Sequence, residues 1–149
     1  DFRIGRRVAD LVDRYDGVDC VPDLVAHLAA ANGSDRVHFH CQDLTTDVLP
    51  PAEAAFLRQV LQHLTNAEIQ AVLDRCARYR YLIVTEHVPA EPSPEPNLDH
   101  AHGPNTRLLV GSGVYLEHPP FSRSVTPLLA LPDGDGAIFR TVVVENPPN

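Results

Sequence analysis

Apolar residues recur at Ile4, Val8, Leu11 and Tyr15 with Arg and Asp between them, a spacing that predicts an amphipathic helix over residues 3–14. A short strand, Tyr15-Asp16-Gly17-Val18-Asp19, follows. Pro22 and Asp23 then open a second helix, where proline loses no hydrogen bond and a carboxylate suits the helix dipole. Leu24, Val25 and Leu28 form its apolar face and Asn32-Gly33 its stop. Val37-His38-Phe39-His40-Cys41 alternates at period two and ends on Gln42-Asp43, the pattern of a strand with an acidic end. Ala54-Ala55-Phe56-Leu57 is expected to be a short, fully buried strand, with a helix start as the alternative. Thr65-Asn66-Ala67-Glu68 is a capping box, and Ile69, Val72, Leu73 and Cys76 form the stripe of the helix it opens. Tyr81-Leu82-Ile83-Val84-Thr85 is the clearest strand, continuous and β-branched enough to be central in a parallel sheet.

This alternation of helix and strand specifies an α/β fold, a Rossmann-like parallel sheet with helices on both faces. The character changes at Val88. Residues 88–106 hold five prolines and little periodicity, which marks a lid or substrate loop. Residues 108–117 are strand-like. Two further strand-like runs, 125–131 and 137–145, flank Pro132-Asp133-Gly134-Asp135-Gly136, so a C-terminal antiparallel hairpin is expected.

At 149 residues the chain suits a single domain over 1–149 with one core. Asp1 in place of a starting Met leads to the expectation that this domain is incomplete at its N-terminus. The net charge of −8 disfavours nucleic acid and anionic membrane as partners. No apolar run reaches the ~18 residues needed to span a bilayer, and no signal peptide is visible. Cys20, Cys41 and Cys76 are widely spaced, which suits reduced, buried structural thiols and a cytoplasmic protein.

In an open parallel sheet, ligands bind beyond the carboxyl ends of the strands. Asp19 is such a strand end, and its carboxylate is suited to accept from both hydroxyls of a ribose. The alternative is an acid at the start of the next helix. Asp43 ends the following strand, where it or its neighbouring amide can meet an adenine amino group; a loop-capping Asp is the competing reading. Glu86 closes so apolar a strand that an acid there needs a reason. His63 and His87 lie beyond strand ends and titrate near working pH, as a base requires. For both, an ordinary structural role is the alternative.

Taken in order, these segments resemble the class I S-adenosylmethionine-dependent methyltransferases. Asp1-Phe2-Arg3-Ile4-Gly5 looks like the tail of that family's first motif, in which a strand runs into a Gly-rich turn and then a helix. Gly17-Val18-Asp19 and Phe39-His40-Cys41-Gln42-Asp43 follow in family order. Arg58-Gln59-Val60-Leu61-Gln62-His63-Leu64 is similar to the segment after the fourth strand of many small-molecule methyltransferases. The likeness covers most of residues 1–87 and, more loosely, 108–145. It implies S-adenosylmethionine as cofactor, with contacts from Asp1, Phe2, Asp19, Cys20, Asp43, Leu44, Arg58 and Gln59, and methyl transfer to a small molecule. The first strand and most of the glycine turn are not in the chain, so weak or no cofactor binding by this polypeptide itself is expected.

Methyl transfer is an in-line displacement at a sulfonium carbon, so the protein mainly aligns its reactants and adds a base where the nucleophile carries a proton. His63, Glu86 and His87 are the catalytic candidates. For the substrate they are Asn97, Asp99 and Arg107 in the polar loop, Arg107 as a partner for carboxylate or phosphate, together with Tyr115. A solvated linker is the rival reading of that loop. His38/His40 and His100/His102 each put two rings on one face, but neither pair has a third ligand at recognisable spacing, so no metal site is expected. A homodimer is allowed. A nicotinamide-dependent oxidoreductase shares the early strand-helix-strand logic, and a non-catalytic methyltransferase-like scaffold is the alternative from another class.

Overall fold

The structure, a computed structural model, describes residues 2–91 and 95–147, and the chain forms two compact units, Asp1–Pro50 and Pro51–Asn149. The first unit carries α1 (Arg3–Ala9), β1 (Tyr15–Asp19), α2 (Pro22–Asn32) and β2 (Val37–Cys41), with β1 and β2 paired in parallel. Parallel strands need a crossover, and α2 supplies it. Its first turn holds Pro22 and Asp23, as expected, but only Val25 is buried, while Leu24 and Leu28 are half-buried.

The first helix is shorter than its apolar spacing predicts. It ends at Ala9, and Leu11 is 86% exposed. The reason lies in the carbonyls beyond α1. The Arg36 guanidinium donates to the oxygens of Val12 at 2.5 Å, Asp13 at 3.1 Å and Ala9 at 3.3 Å, satisfying groups that another helical turn would have paired. Before α1, the Phe2 ring packs edge-on against Tyr15 and Phe39, with centroids 5.3 and 5.1 Å apart. Gly5 makes this close approach possible: a Cβ there would lie 2.6 Å from the Tyr15 hydroxyl and 2.7 Å from the Phe2 ring.

The second unit is built on a four-stranded sheet of order β3-β4-β6-β5, with β3 (Ala54–Arg58), β4 (Tyr81–Pro89), β5 (Thr126–Pro132) and β6 (Ala137–Glu145). β3 runs parallel to β4, while β6 is antiparallel to both β4 and β5. The strand expected to be central in a parallel sheet is therefore central but parallel on one side only. β4 also runs through Val88 and Pro89, so the proline-rich segment begins later than the sequence suggests.

Burial alternates strictly along β4, with Leu82, Val84, Glu86 and Val88 inside. The expected stripe of α3 (Asn66–Cys76) is buried in full, Ile69, Val72 and Cys76 at 0% exposure and Leu73 at 3%. Each such aliphatic side chain contributes about 1.5–3 kcal/mol. The capping box at its start is present: Glu68 N donates to Thr65 Oγ1 at 3.2 Å, and Thr65 N donates to Glu68 Oε2 at 2.8 Å. β3 is a strand but not fully buried, since it is an edge and Phe56 is 55% exposed. The other edge, β5, is exposed over its whole length; Pro127 and Pro132 cannot donate, which blunts this edge against further strand pairing.

The strand expected over 108–117 is absent. Arg107–Val110 forms a 3-10 turn that ends on Gly111 at φ +69°, and the chain beyond it is irregular. Thiol burial is also corrected: Cys76 is buried, but Cys20 and Cys41 are exposed. Among the described residues, no helix is long and apolar enough to cross a membrane.

Candidate functional site

In the first unit, the register pairs Asp19 with Cys41, and Gln42 N donates to the Asp19 carbonyl at 3.0 Å. The parallel pairing therefore brings the carboxyl ends of β1 and β2 side by side, with Asp43 just beyond. Asp19 Oδ1 accepts from Val21 N at 3.0 Å, holding the turn into α2, and Asp19 Oδ2 has no hydrogen-bond partner among the described residues. Asp43 Oδ1 accepts from Thr45 N at 2.8 Å and Thr45 Oγ1 at 2.7 Å, while Asp43 N donates to Asp47 Oδ2 at 2.8 Å. Leu44 beside it is half-buried and Cys20 is exposed. Phe2 belongs to the aromatic cluster under α1, and Asp1 lies outside the described residues. A concavity of about 370 Å³ lined by Phe2, Arg6, Asn32, Arg36 and Val37 lies at the opposite, amino-terminal end of β2, away from the end where ligands bind in such sheets.

Asp16, the second residue of β1, was not singled out from the sequence. It receives two bonds from Arg14, at 2.7 and 3.0 Å, and one from His40 Nε2 at 2.7 Å. Arg14 first, and His40 with it, holds the Asp16 carboxyl below its ordinary value. His40 thus has a carboxylate partner, and no group of three or more His, Cys, Asp or Glu among the described residues could hold a metal ion.

In the second unit the decisive feature is the end of β3. Arg58 is exposed there, and Gln59 takes a left-handed φ of +54° while its N–H donates to Thr85 O at 2.8 Å. That turn aims the next amides at β4. Val60 N and Leu61 N donate to Glu86 Oε1 at 3.2 and 2.9 Å, and Gln62 N donates to Oε2 at 3.1 Å. The carboxylate thus receives the free amides at the start of the 3-10 turn Leu61–His63. Glu86 is 2% exposed. Burial pushes its carboxyl up to about 7, against the pull of the three amides and the Arg107 charge.

Arg107 is 1% exposed and donates to Leu98 O at 3.0 Å, Leu61 O at 3.2 Å and Asn66 Oδ1 at 2.8 Å. Asn97, at 4% exposure, donates to the carbonyls of Tyr115, His118 and Pro119 and accepts from Tyr115 N at 2.7 Å. Asp99 Oδ1 accepts from Asn66 N at 2.8 Å, at the start of α3. His100 Nε2 lies 2.9 Å from Gln62 O, and His102 Nδ1 lies 2.8 Å from Glu68 Oε1. The polar residues read as substrate contacts therefore fasten residues 95–118 to the 3-10 turn and α3. Tyr115 is half-buried, with the Arg140 guanidinium 5.7 Å from its ring centroid and Arg140 paired to Glu117 at 2.6 Å.

The catalytic candidates differ in their freedom. His87 Nε2 donates to Asp133 Oδ2 at 2.6 Å and its ring stacks on Phe139, 4.5 Å between centroids. Asp133 also accepts from Asp135 N and Ala137 N; its Asp-Gly context signalled the turn but not the His87 partner. His63 is half-buried, with Nδ1 3.3 Å from Asn105 O. Its neighbour Gln62, 5% exposed, was also missed, since its burial follows from the turn that Glu86 holds.

No protein-family model and no curated protein sequence matches the chain. Solved structures do match. The [4+2]-cyclase SpnF has a TM-score of 0.66 at 15% identity, covering 99% of this chain and 72% of SpnF. Magnesium protoporphyrin IX methyltransferase (ChlM) from Synechocystis PCC 6803, solved with bound SAH, has a TM-score of 0.59 at 13% identity, covering 95% of this chain and 67% of its own. Human N-acetylserotonin methyltransferase, solved with SAM, has a TM-score of 0.55 at 16% identity, covering 89% of this chain and 39% of its own. The fold is thus Rossmann-like, as the alternation of helix and strand along the sequence predicted, and it is similar to that of these methyltransferases.

Proposed function

We propose that the chain binds S-adenosylmethionine at the carboxyl ends of β1 and β2 and directs its methyl group to a small-molecule acceptor. The observation that carries this reading is the pairing of Asp19 with Cys41, which sets Asp19 and Asp43 at one end of a parallel pair. It is supported by the fold's likeness to ChlM, solved with SAH, and to human N-acetylserotonin methyltransferase, solved with SAM. Asp19 accepts from the ribose hydroxyls, and the Asp43-Leu44 segment meets the adenine, with Cys20 beside them. Bound there, the cofactor supplies an electrophilic methyl group. Glu86 and His87, each engaged within the fold, are positioning residues in this reading. His63 is retained as the base for an acceptor that carries a proton. The odd number and wide sequence spacing of the cysteines support a cytoplasmic protein.

Titrating isotope-labelled protein with S-adenosylhomocysteine and following the amide resonances tests the reading, and remains sensitive to weak binding. Shifts concentrated at Gly17–Val21 and Cys41–Thr45 are expected, and they disappear in Asp19→Ala. Shifts confined to other segments, or none at millimolar ligand, overturn it.

A second reading, a methyltransferase-like scaffold or an activity other than methyl transfer, is favoured by the internal engagement of Glu86, His87 and Arg107 and by the likeness to a cyclase. Transfer of labelled methyl groups to a panel of small hydroxyl, amine and carboxylate acceptors separates the two: cofactor binding without any labelled product favours the second.

A further inference from the structure

The two exposed cysteines lie at the carboxyl ends of adjoining strands. Cys41 ends β2 and is in register with Asp19, and Cys20 is the next residue along. With strands about 4.8 Å apart and a rise of about 3.3 Å per residue, the diagonal from Cys20 to Cys41 is roughly 6 Å between Cα atoms, within the span a disulfide bridges. Cys41 Sγ already lies 3.9 Å from the Cys20 carbonyl oxygen. Cys20 sits at a bend, inside the turn that Asp19 Oδ1 closes on Val21 N. Strand alternation therefore does not hold its side chain to the opposite face.

We propose that Cys20 and Cys41 form a reversible disulfide that ties the turn after β1 to the end of β2 and encloses α2 in a covalent loop. The inference is independent of the cofactor reading. With a peroxide as oxidant, one thiolate attacks the O–O bond to give a sulfenic acid and hydroxide. The second thiolate then displaces hydroxide from the sulfenic sulfur, so two thiols and hydrogen peroxide become one disulfide and two waters. A low-molecular-weight disulfide such as oxidised glutathione reaches the same product through a mixed disulfide, releasing two glutathione thiols. Cys76 takes no part: it is fully buried, and burial pushes its thiol up to about 11.

The reduced full chain is treated with hydrogen peroxide or oxidised glutathione, alkylated under denaturing conditions and digested with trypsin. Cleavage after Arg36 places Cys20 and Cys41 in separate peptides. The expected result is a cross-linked peptide pair, an intact mass lower by two hydrogens, alkylated Cys76, and full reversal by dithiothreitol. Cys41→Ser leaves Cys20 as a stable mixed disulfide with glutathione. Separate adducts or sulfinic acids at Cys20 and Cys41, a disulfide between two chains, or any link through Cys76 overturns the proposal. A Cys41→Ser protein that accumulates no mixed disulfide also overturns it.

Discussion

His87 and Asp133 are joined by a 2.6 Å hydrogen bond across 46 residues of sequence, which fixes the turn between β5 and β6 against the end of β4. His87 faces Phe139 in the β4–β6 register and stacks on it, so one side chain serves both the strand pairing and the turn. The amides of Asp135 and Ala137, with His87, hold the Asp133 carboxyl below its ordinary 3.8. A depressed folded value means that the stabilisation is present above the unfolded value and is lost as pH falls through the folded one. Acid titration of unfolding midpoints is therefore expected to show a loss beginning near pH 4, and Asp133→Asn removes that part of it. An unchanged acid limb in the variant counts against the assignment.

Glu86 runs the opposite way. Its carboxyl is raised from 4.5 to about 7, so its contribution is fully present below the unfolded value and is lost as pH rises through the folded one. Stability is expected to decline between about pH 4.5 and 7, and Glu86→Gln flattens that decline. Glu86→Ala leaves the amides of Val60, Leu61 and Gln62 without their acceptor and is expected to destabilise the fold by about 3 kcal/mol, given ~1–3 kcal/mol per orphaned buried donor. Denaturant titrations at pH 5 and pH 7 measure both effects.

Arg107 joins Leu98, Leu61 and Asn66 from inside the second unit. Lysine carries its three donors on one nitrogen, whereas Arg107 meets its three acceptors from Nε, Nη1 and Nη2 separately, so a single ammonium does not span them. Arg107→Lys is expected to lower stability by about 3 kcal/mol, in the range for breaking a buried charged network. A variant that keeps its melting temperature but loses affinity for an anionic acceptor restores the substrate role instead.

The capping box offers a local measurement. Thr65→Ala removes the acceptor for Glu68 N and is expected to lower stability by about 1 kcal/mol. Glu68, held down to about 2 by His102 first and then by Thr65, adds a loss as pH falls from its ordinary 4.5 toward 2. A Thr65→Ala chain as stable as the parent shows that α3 does not rely on its cap.

In the cofactor reading, Asp19→Ala removes a charge-assisted acceptor of about 1.5–3 kcal/mol, a loss of roughly tenfold to a hundredfold in S-adenosylhomocysteine affinity. Its unfolding midpoint is expected to change much less than that of Glu86→Ala. Calorimetric titration paired with thermal unfolding checks both, and undiminished affinity removes Asp19 from the site.

Period and punctuation alone determined most of the elements. The β-branched run at Tyr81–Thr85, the Thr65–Glu68 box with its stripe, Pro22 at a helix start and the Asp-Gly turn each carry their structure within a few residues, because capping, alternation and turn geometry are local forces. The acidic strand ends at Asp19 and Asp43 were legible for the same reason. What only the tertiary structure decided depends on partners distant in sequence. Arg36 takes the carbonyls that would have continued α1, and Gln59 turns three amides onto Glu86. Asn97 and Arg107 become internal clamps, because a buried polar side chain goes where unpaired backbone groups are, and no spacing along the chain records where those groups meet.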